Sequence, residues 1–343
     1  MSEYLSFLDI DSYLQNVTQY QSALACMQGA SLHVFFFSLS VSRAGPWRLV
    51  TRSATKMPGA QRSGEGYFVY TPSNGDFPAT YEAHWDAFLW WWTFSMFGCF
   101  AVVILSRVLL PLLLPASWEA MVKESPWKAV SVPKNVAEWW PAFVVAPLAW
   151  RPCRILTEAA LAEPAMALYL PAPFHMWCAT GAAVGYMTFD CVLLLVFRKA
   201  MISSMKLPMY LQIWGHHVLS MLIWPIGLHT NIATVFIAWF LLSEGSNIFL
   251  NCRTLLIKFN AGHGAKFAAA NALFSLSFLV LRILPIPLFM AFWYGFDWSH
   301  TTWFTLAMAA SSTPLPVMLN LYWFSLMLSM VSPSKKKKLK EKP

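Results

Sequence analysis

The chain has 343 residues, 57% of them hydrophobic and 12% charged, with a mean hydropathy of +0.50 and a formal net charge of +8. A soluble domain carries about 25% charged residues. The composition therefore excludes a soluble enzyme on a single anchor and specifies an integral membrane protein with several spans. The six cysteines (Cys26, Cys99, Cys153, Cys178, Cys191, Cys252) form no CxxC pair and read as small core residues, neither disulfides nor a metal site.

Residues 1–84 read as an N-terminal extension. Its start, MSEYLSFLDIDSYLQ, is acidic and polar, unlike a signal or transit peptide, so the first spans are expected to direct insertion. Asn16-Val17-Thr18 is a glycosylation sequon that matters only if this end is luminal. Residues 24–41 are barely long enough to cross and hold Gln28 and His33, so a full span and a half-embedded helix both stay open. A long Gly-, Pro- and Ser-rich connection follows, basic over 43–62.

The body is expected over 85–331. A long span at 87–114 opens on Trp90-Trp91-Trp92 and ends at Pro111 and Pro115. Residues 115–138 read as a mixed-charge loop. Residues 139–150, broken by Pro141 and Pro147, read as a short span or a re-entrant element, and 151–173 as an interfacial stretch. Five further spans are expected at about 174–197, 208–229, 231–250, 268–292 and 302–330, each long enough for roughly 30 Å of hydrocarbon. Prolines 285, 287, 314 and 316 should kink the last two. The expected fold class is thus all-α: a polytopic transmembrane helix bundle of about seven spans, with an N-terminal membrane-embedded helix as a further candidate.

A Lys-rich tail occupies 332–343. It lacks interleaved aromatics and so gives no sign of a nucleic-acid partner; it suits a solvated tail attracted to anionic headgroups. Arg198, Lys199 and Lys206, then Arg253, Lys258 and Lys266, then the tail fall on one side if the spans alternate. The positive-inside rule puts that side in the cytosol, with 43–62 in conflict.

Polar residues inside the spans mark candidate sites. Asp190 lies eight residues before Arg198, His216 ten after Lys206, Glu244 nine before Arg253 and Ser275 nine after Lys266. At 1.5 Å per residue all four sit roughly 12–15 Å from the basic edge. Glu244, Asn247 and Asn251 share one helix stripe, and Asn271, Ser275 and Arg282 another. Ser220 follows His216 and His217 by one turn, and Tyr186 precedes Asp190 by one turn. Each also has a structural reading: an interhelical hydrogen bond for His216, an ion pair of Arg282 with Asp190 or Glu244, and interhelical glue for Asn271 and Ser275. Adjacent histidines point about 100° apart and cannot chelate one ion as an i, i+4 pair does, so no metal or other bound cofactor is expected. A histidine beside a carboxylate could instead act as general base toward a hydroxyl or amine.

Four pieces in order carry a family resemblance: Gly185-Tyr186-Met187-Thr188-Phe189-Asp190; Gly215-His216-His217; Leu242 to Arg253 (LSEGSNIFLNCR); and Asn271-Ala272-Leu273 with Leu281-Arg282-Ile283. Together they resemble the TLC-domain family of ceramide synthases, TRAM translocation factors and small TLC-domain proteins, over roughly 87–330. The third piece is similar to the block of the small TLC proteins. The resemblance implies a helix bundle around a lipid chain in a multi-pass protein of the endoplasmic reticulum or another organelle membrane. It makes His216, His217, Glu244 and Asp190 the candidate catalytic residues. Tyr186, Ser220, Asn247, Asn251, Asn271, Ser275 and Arg282 are the candidate substrate contacts. Glu244 and Asn247 stand where ceramide synthases carry an Asp pair, which counts against ceramide synthesis. The expected function is binding of a fatty acyl or sphingolipid chain, influencing membrane lipid composition, with membrane lipids as partners. The alternatives are a ceramide-synthase-like N-acyltransferase with acyl-CoA as co-substrate, and a structural subunit in a homo-oligomer or a larger membrane complex.

Overall fold

A computed structural model describes residues 60–62, 68–70 and 81–331. The helix expected at 24–41, the sequon, nearly all of the basic segment and the Lys-rich tail lie outside the described residues. The chain divides into two compact units. The larger spans Thr80–Tyr186 and Ile223 onward. The smaller spans Met187–Leu222 and holds a two-stranded antiparallel pair, β1 (Ala60–Arg62) and β2 (Phe68–Tyr70).

Everything described from Tyr81 onward is helical or turn. Five helical stretches are long and apolar enough to cross a bilayer: Tyr81–Leu113, Phe174–Val196, Thr234–Lys258, Gly264–Gly295 and Trp303–Leu328. The other two expected spans are helical as well. Leu207–Thr230 runs for 24 residues but carries Gln212, His216, His217 and His229, too polar to count among the five. The second is a π turn at Pro141–Val145 followed by Ala146–Ala162. The fold is an all-α, polytopic membrane-helix fold, as its composition requires.

Helix α1 (Tyr81–Leu113) buries only a stripe, Phe88, Ser95, Met96, Cys99 and Ser106, at helical spacing. Its remaining apolar surface, including Trp90, Phe97, Ile104 and Leu112, is exposed, as a lipid-facing helix requires. The buried stripe meets the first half of the Phe174–Val196 helix, which packs backbone to backbone through Gly181 and Gly185. A Cβ at Gly181 would lie 2.4 Å from Phe88 O, and one at Gly185 2.2 Å from Trp92 O. Two glycines four residues apart on one face permit this approach, the device by which membrane helices pack without a hydrophobic drive.

Proline shapes the other helices. Each π turn, Pro141–Val145 and Leu279–Ile283, ends two residues before a proline, Pro147 and Pro285. A proline ring clashes with the carbonyl four residues back and donates nothing. Widening the preceding turn to i→i−5 bonds, Ala146 N to Pro141 O and Leu284 N to Leu279 O, accommodates it. Pro111 is instead carried inside α1, which runs on to Leu113. The last span breaks at Thr313, ahead of Pro314. The boundary between the spans expected at 208–229 and 231–250 is the turn between Leu207–Thr230 and Thr234–Ser243, where Asn231 and Ala233 adopt positive φ.

Two stretches differ from the sequence reading. Residues 115–138 are not a loop but two helices, Pro115–Glu124 and Lys128–Ala137; the second buries Ser131, Val132, Lys134, Asn135 and Ala137. Its charges hid a buried face because they pair with one another. Residues 151–173 are held by the core: Cys153, Leu156, Ala160, Ala167, Leu168 and Leu170 are buried. Ala233 N donates to Leu168 O at 2.8 Å, Thr234 Oγ1 to Leu170 O at 2.6 Å and Trp239 Nε1 to Thr157 Oγ1 at 2.9 Å.

Candidate functional site

The candidate residues fall into two groups, one in each compact unit. In the smaller unit, His217 Nε2 lies 3.1 Å from Asp190 Oδ2. The two side chains belong to the Phe174–Val196 and Leu207–Thr230 helices, and both are buried, Asp190 at 2% exposure and His217 at 8%. A buried carboxylate is costly unless it accepts hydrogen bonds. An Nε2–H donated to Oδ2 meets that need and makes Nδ1 the ring nitrogen available for proton exchange. His216 is half-buried, its ring 5.5 Å from that of His217. Of the adjacent histidines, His217 lies within ion-pair distance of the carboxylate. Ser220 is buried one turn on, beside Met221, whose Sδ accepts from Thr188 Oγ1 at 3.4 Å.

The larger unit holds the second group. Arg282 lies on the π turn Leu279–Ile283 and is fully enclosed by partners. Its Nη2 is 3.4 Å from Glu244 Oε1 and 3.3 Å from Ser243 O; Nη1 is 3.3 Å from Asn320 Oδ1 and Nε is 3.1 Å from Ser246 Oγ. Asn247 Nδ2 donates to Glu244 Oε2 at 2.6 Å, so both carboxylate oxygens are engaged. Glu244 opens a 3-10 turn, Glu244–Ser246, that interrupts its own span. Gly245 sits between the two π turns: a Cβ there would lie 3.5 Å from Ala146 Cβ and 3.7 Å from Leu281 Cδ1. Three distorted helical turns thus gather around one buried ion pair, and such distortions recur at functional sites.

The other candidates lie apart from this pair. Asn251 Nδ2 donates to Glu138 O at 2.7 Å, and Asn271 Oδ1 accepts from Arg253 Nε at 2.9 Å. Ser275 is half-buried, and its carbonyl accepts from Leu279 N within its own helix. Tyr186 is buried. The sequence offered Arg282 an ion pair with Asp190 or Glu244, and it takes Glu244 together with the Ser243 carbonyl. It missed Ser246 and Asn320. Asn320 is a lone amide inside the apolar run Pro314–Val331, a signal of the same kind as those used elsewhere.

A family profile for the TLC domain matches residues 131–329, more than half of the chain. The chain belongs to the TLC-domain family. No curated protein and no solved structure matches it. Both groups of polar residues lie inside the TLC domain, whereas α1 precedes the matched range. The protein is a multi-pass membrane protein of a family linked to lipid function. Within the TLC domain the two groups differ in what they can do. Glu244 and Arg282 satisfy each other and their neighbours, a closed network that holds three helices in register. The Asp190–His217 pair is a carboxylate orienting an imidazole, an arrangement able to accept a proton or bind a hydroxyl or amine.

Proposed function

We propose that this TLC-domain protein binds a fatty acyl or sphingolipid chain among its membrane helices and so influences membrane lipid composition. The polar head of the lipid is addressed by His217, held by Asp190, with Ser220 as a further contact. The observation that carries this reading is the buried 3.1 Å contact between His217 and Asp190 on helices of a TLC domain. A dry imidazole–carboxylate pair suits a hydroxyl or amine headgroup better than bulk lipid tails. The protein is read as resident in the endoplasmic reticulum with its C-terminus cytosolic, alone or as a homo-oligomer.

The same pair favours one second reading, N-acyl transfer from acyl-CoA. The amine nitrogen of a sphingoid base would attack the thioester carbonyl and surrender its proton to His217 Nδ1. The C–S bond would then break, and the coenzyme thiolate would take up that proton. Asp190 would stabilise the imidazolium between the two steps.

The test is purification in mild detergent followed by native mass spectrometry and lipid extraction. The lipid-binding reading expects a stoichiometric acyl lipid on the wild type that is lost or exchanged in His217→Ala and Asp190→Asn. Incubation with acyl-CoA and sphingoid base separates a carrier from an enzyme, since only the latter forms an amide. Absence of any bound lipid, together with stable partner chains, would leave the pair a structural contact.

A further inference from the structure

The larger unit holds a further cluster of charge. Residues 124–138 and 251–260 bring together three ammonium groups and two carboxylates. Lys128 pairs with Glu124 at 2.9 Å, and Glu124 also accepts from Asn260 Nδ2 at 2.8 Å. Lys134 pairs with Glu138 Oε1 while Asn135 Nδ2 binds Oε2, so both Glu138 oxygens are occupied. Lys258 is the remainder. Its Nζ donates to Ser131 O at 2.7 Å and to Asn135 Oδ1, both neutral acceptors. Among the described residues no carboxylate lies within 4.0 Å of it. An ammonium has three N–H donors, so one is left over.

Lys258 is half-buried, and the opposite charge that acts on it, Glu138, lies beyond ion-pair distance and is shared with Lys134 and Asn135, so the cost of burying the cation is only partly offset. A structural tie alone would not need the charge, because a glutamine amide also offers two donors. Depth indicates what supplies the anion. Lys258 ends the 25-residue stretch Thr234–Lys258. At 1.5 Å per residue that stretch spans about 37 Å, longer than a hydrocarbon core of about 30 Å. Its last turn therefore stands at headgroup level, where lipid phosphates are the abundant anions.

We propose that Lys258, framed by Ser131 and Asn135 and flanked by the Lys134–Glu138 pair, docks the phosphate of an anionic membrane lipid. A phosphate monoester suits it better than phosphocholine. The cluster has one ammonium in excess, and both oxygens of Glu138, the carboxylate beside Lys258, are taken. This site is independent of His217.

The experiment uses the purified full chain in detergent, titrated with short-chain phosphatidic acid, with phosphatidylcholine of the same chains, and with inorganic phosphate as competitor. Native mass spectrometry counts the adducts. Saturable phosphatidic acid binding is expected, at least tenfold tighter than phosphatidylcholine. Lys258→Gln should weaken it about tenfold, Lys258→Arg should restore it and Glu138→Gln should hold or tighten it. Competition by inorganic phosphate would support the phosphate site and name a soluble phosphate as a ligand; its absence would support the lipid itself. Equal binding of the two lipids by the wild type overturns the proposal. So does undiminished binding by Lys258→Gln or, should that variant fail to fold, weaker binding by Glu138→Gln.

Discussion

Removing one partner of the Arg282–Glu244 pair tests whether this network holds the TLC domain together. Arg282 is 8% exposed, and its four hydrogen bonds reach Ser243, Glu244, Ser246 and Asn320, on two different spans. Arg282→Met leaves Glu244 buried with Asn247 as its remaining side-chain partner among the described residues. Glu244→Gln leaves a buried guanidinium with neutral acceptors alone. Stranding one buried charge in this way costs about 3–5 kcal/mol. The double variant removes both charges, and replacing a buried ion pair by neutral groups is often close to neutral. The two singles sum to about 6–10 kcal/mol, so a near-neutral double variant gives a coupling of several kcal/mol, above the ordinary range of about 0.5–3. At roughly 2–4 °C per kcal/mol, each single variant should melt roughly 6–20 °C below the wild type in a detergent thermal-shift assay, with the double variant above at least one of them. Single variants within about 1 kcal/mol of the wild type, or a double variant as low as the sum of the two, would refute the reasoning.

Gly185→Leu should disrupt α1 packing, because its side chain begins 2.2 Å from Trp92 O, a backbone atom that cannot swing aside. Overpacking of this kind costs about 1–3 kcal/mol or more, read as a lower melting temperature. Gly215→Ala is the control: nothing lies within 4 Å of its Cβ, so it should be neutral or gain about 0.5–1 kcal/mol from helix propensity. Asp190→Asn should unsettle the tautomer of His217, seen as a change in the 15N shifts of its ring in histidine-labelled protein; unchanged shifts would show that Asp190 does not set the tautomer. Glu124 lies outside the spans, and the Asn260 amide and the Lys128 ammonium hold its carboxyl below the ordinary glutamate range. A depressed folded-state value contributes stability above the unfolded value and loses it as the pH falls through the folded one. Asn260→Ala should raise the Glu124 midpoint in an NMR titration, and no movement would remove Asn260 as the cause.

Composition and periodicity determined that this is an all-α, multi-pass protein and where most of its helices run. An apolar stretch of more than 20 residues has few other stable forms in a bilayer. The same logic marked Asp190, His217, Glu244 and Arg282, because polar groups inside a span need partners and rarely occur without one. Pairing was a different matter. Sequence left Arg282 a choice between Asp190 and Glu244, and left the two histidines equivalent. Only the tertiary structure decided these, because a side chain's partner depends on helix rotation and on which turns are widened. Prolines 147 and 285 were legible as kinks, but the π turns they induce shift every later side chain around the helix axis. The cluster at Lys258 was invisible for a related reason. Lys134, Asn135 and Glu138 read as loop, since their charges cancel only once Lys128–Ala137 is folded against Asn247–Lys258.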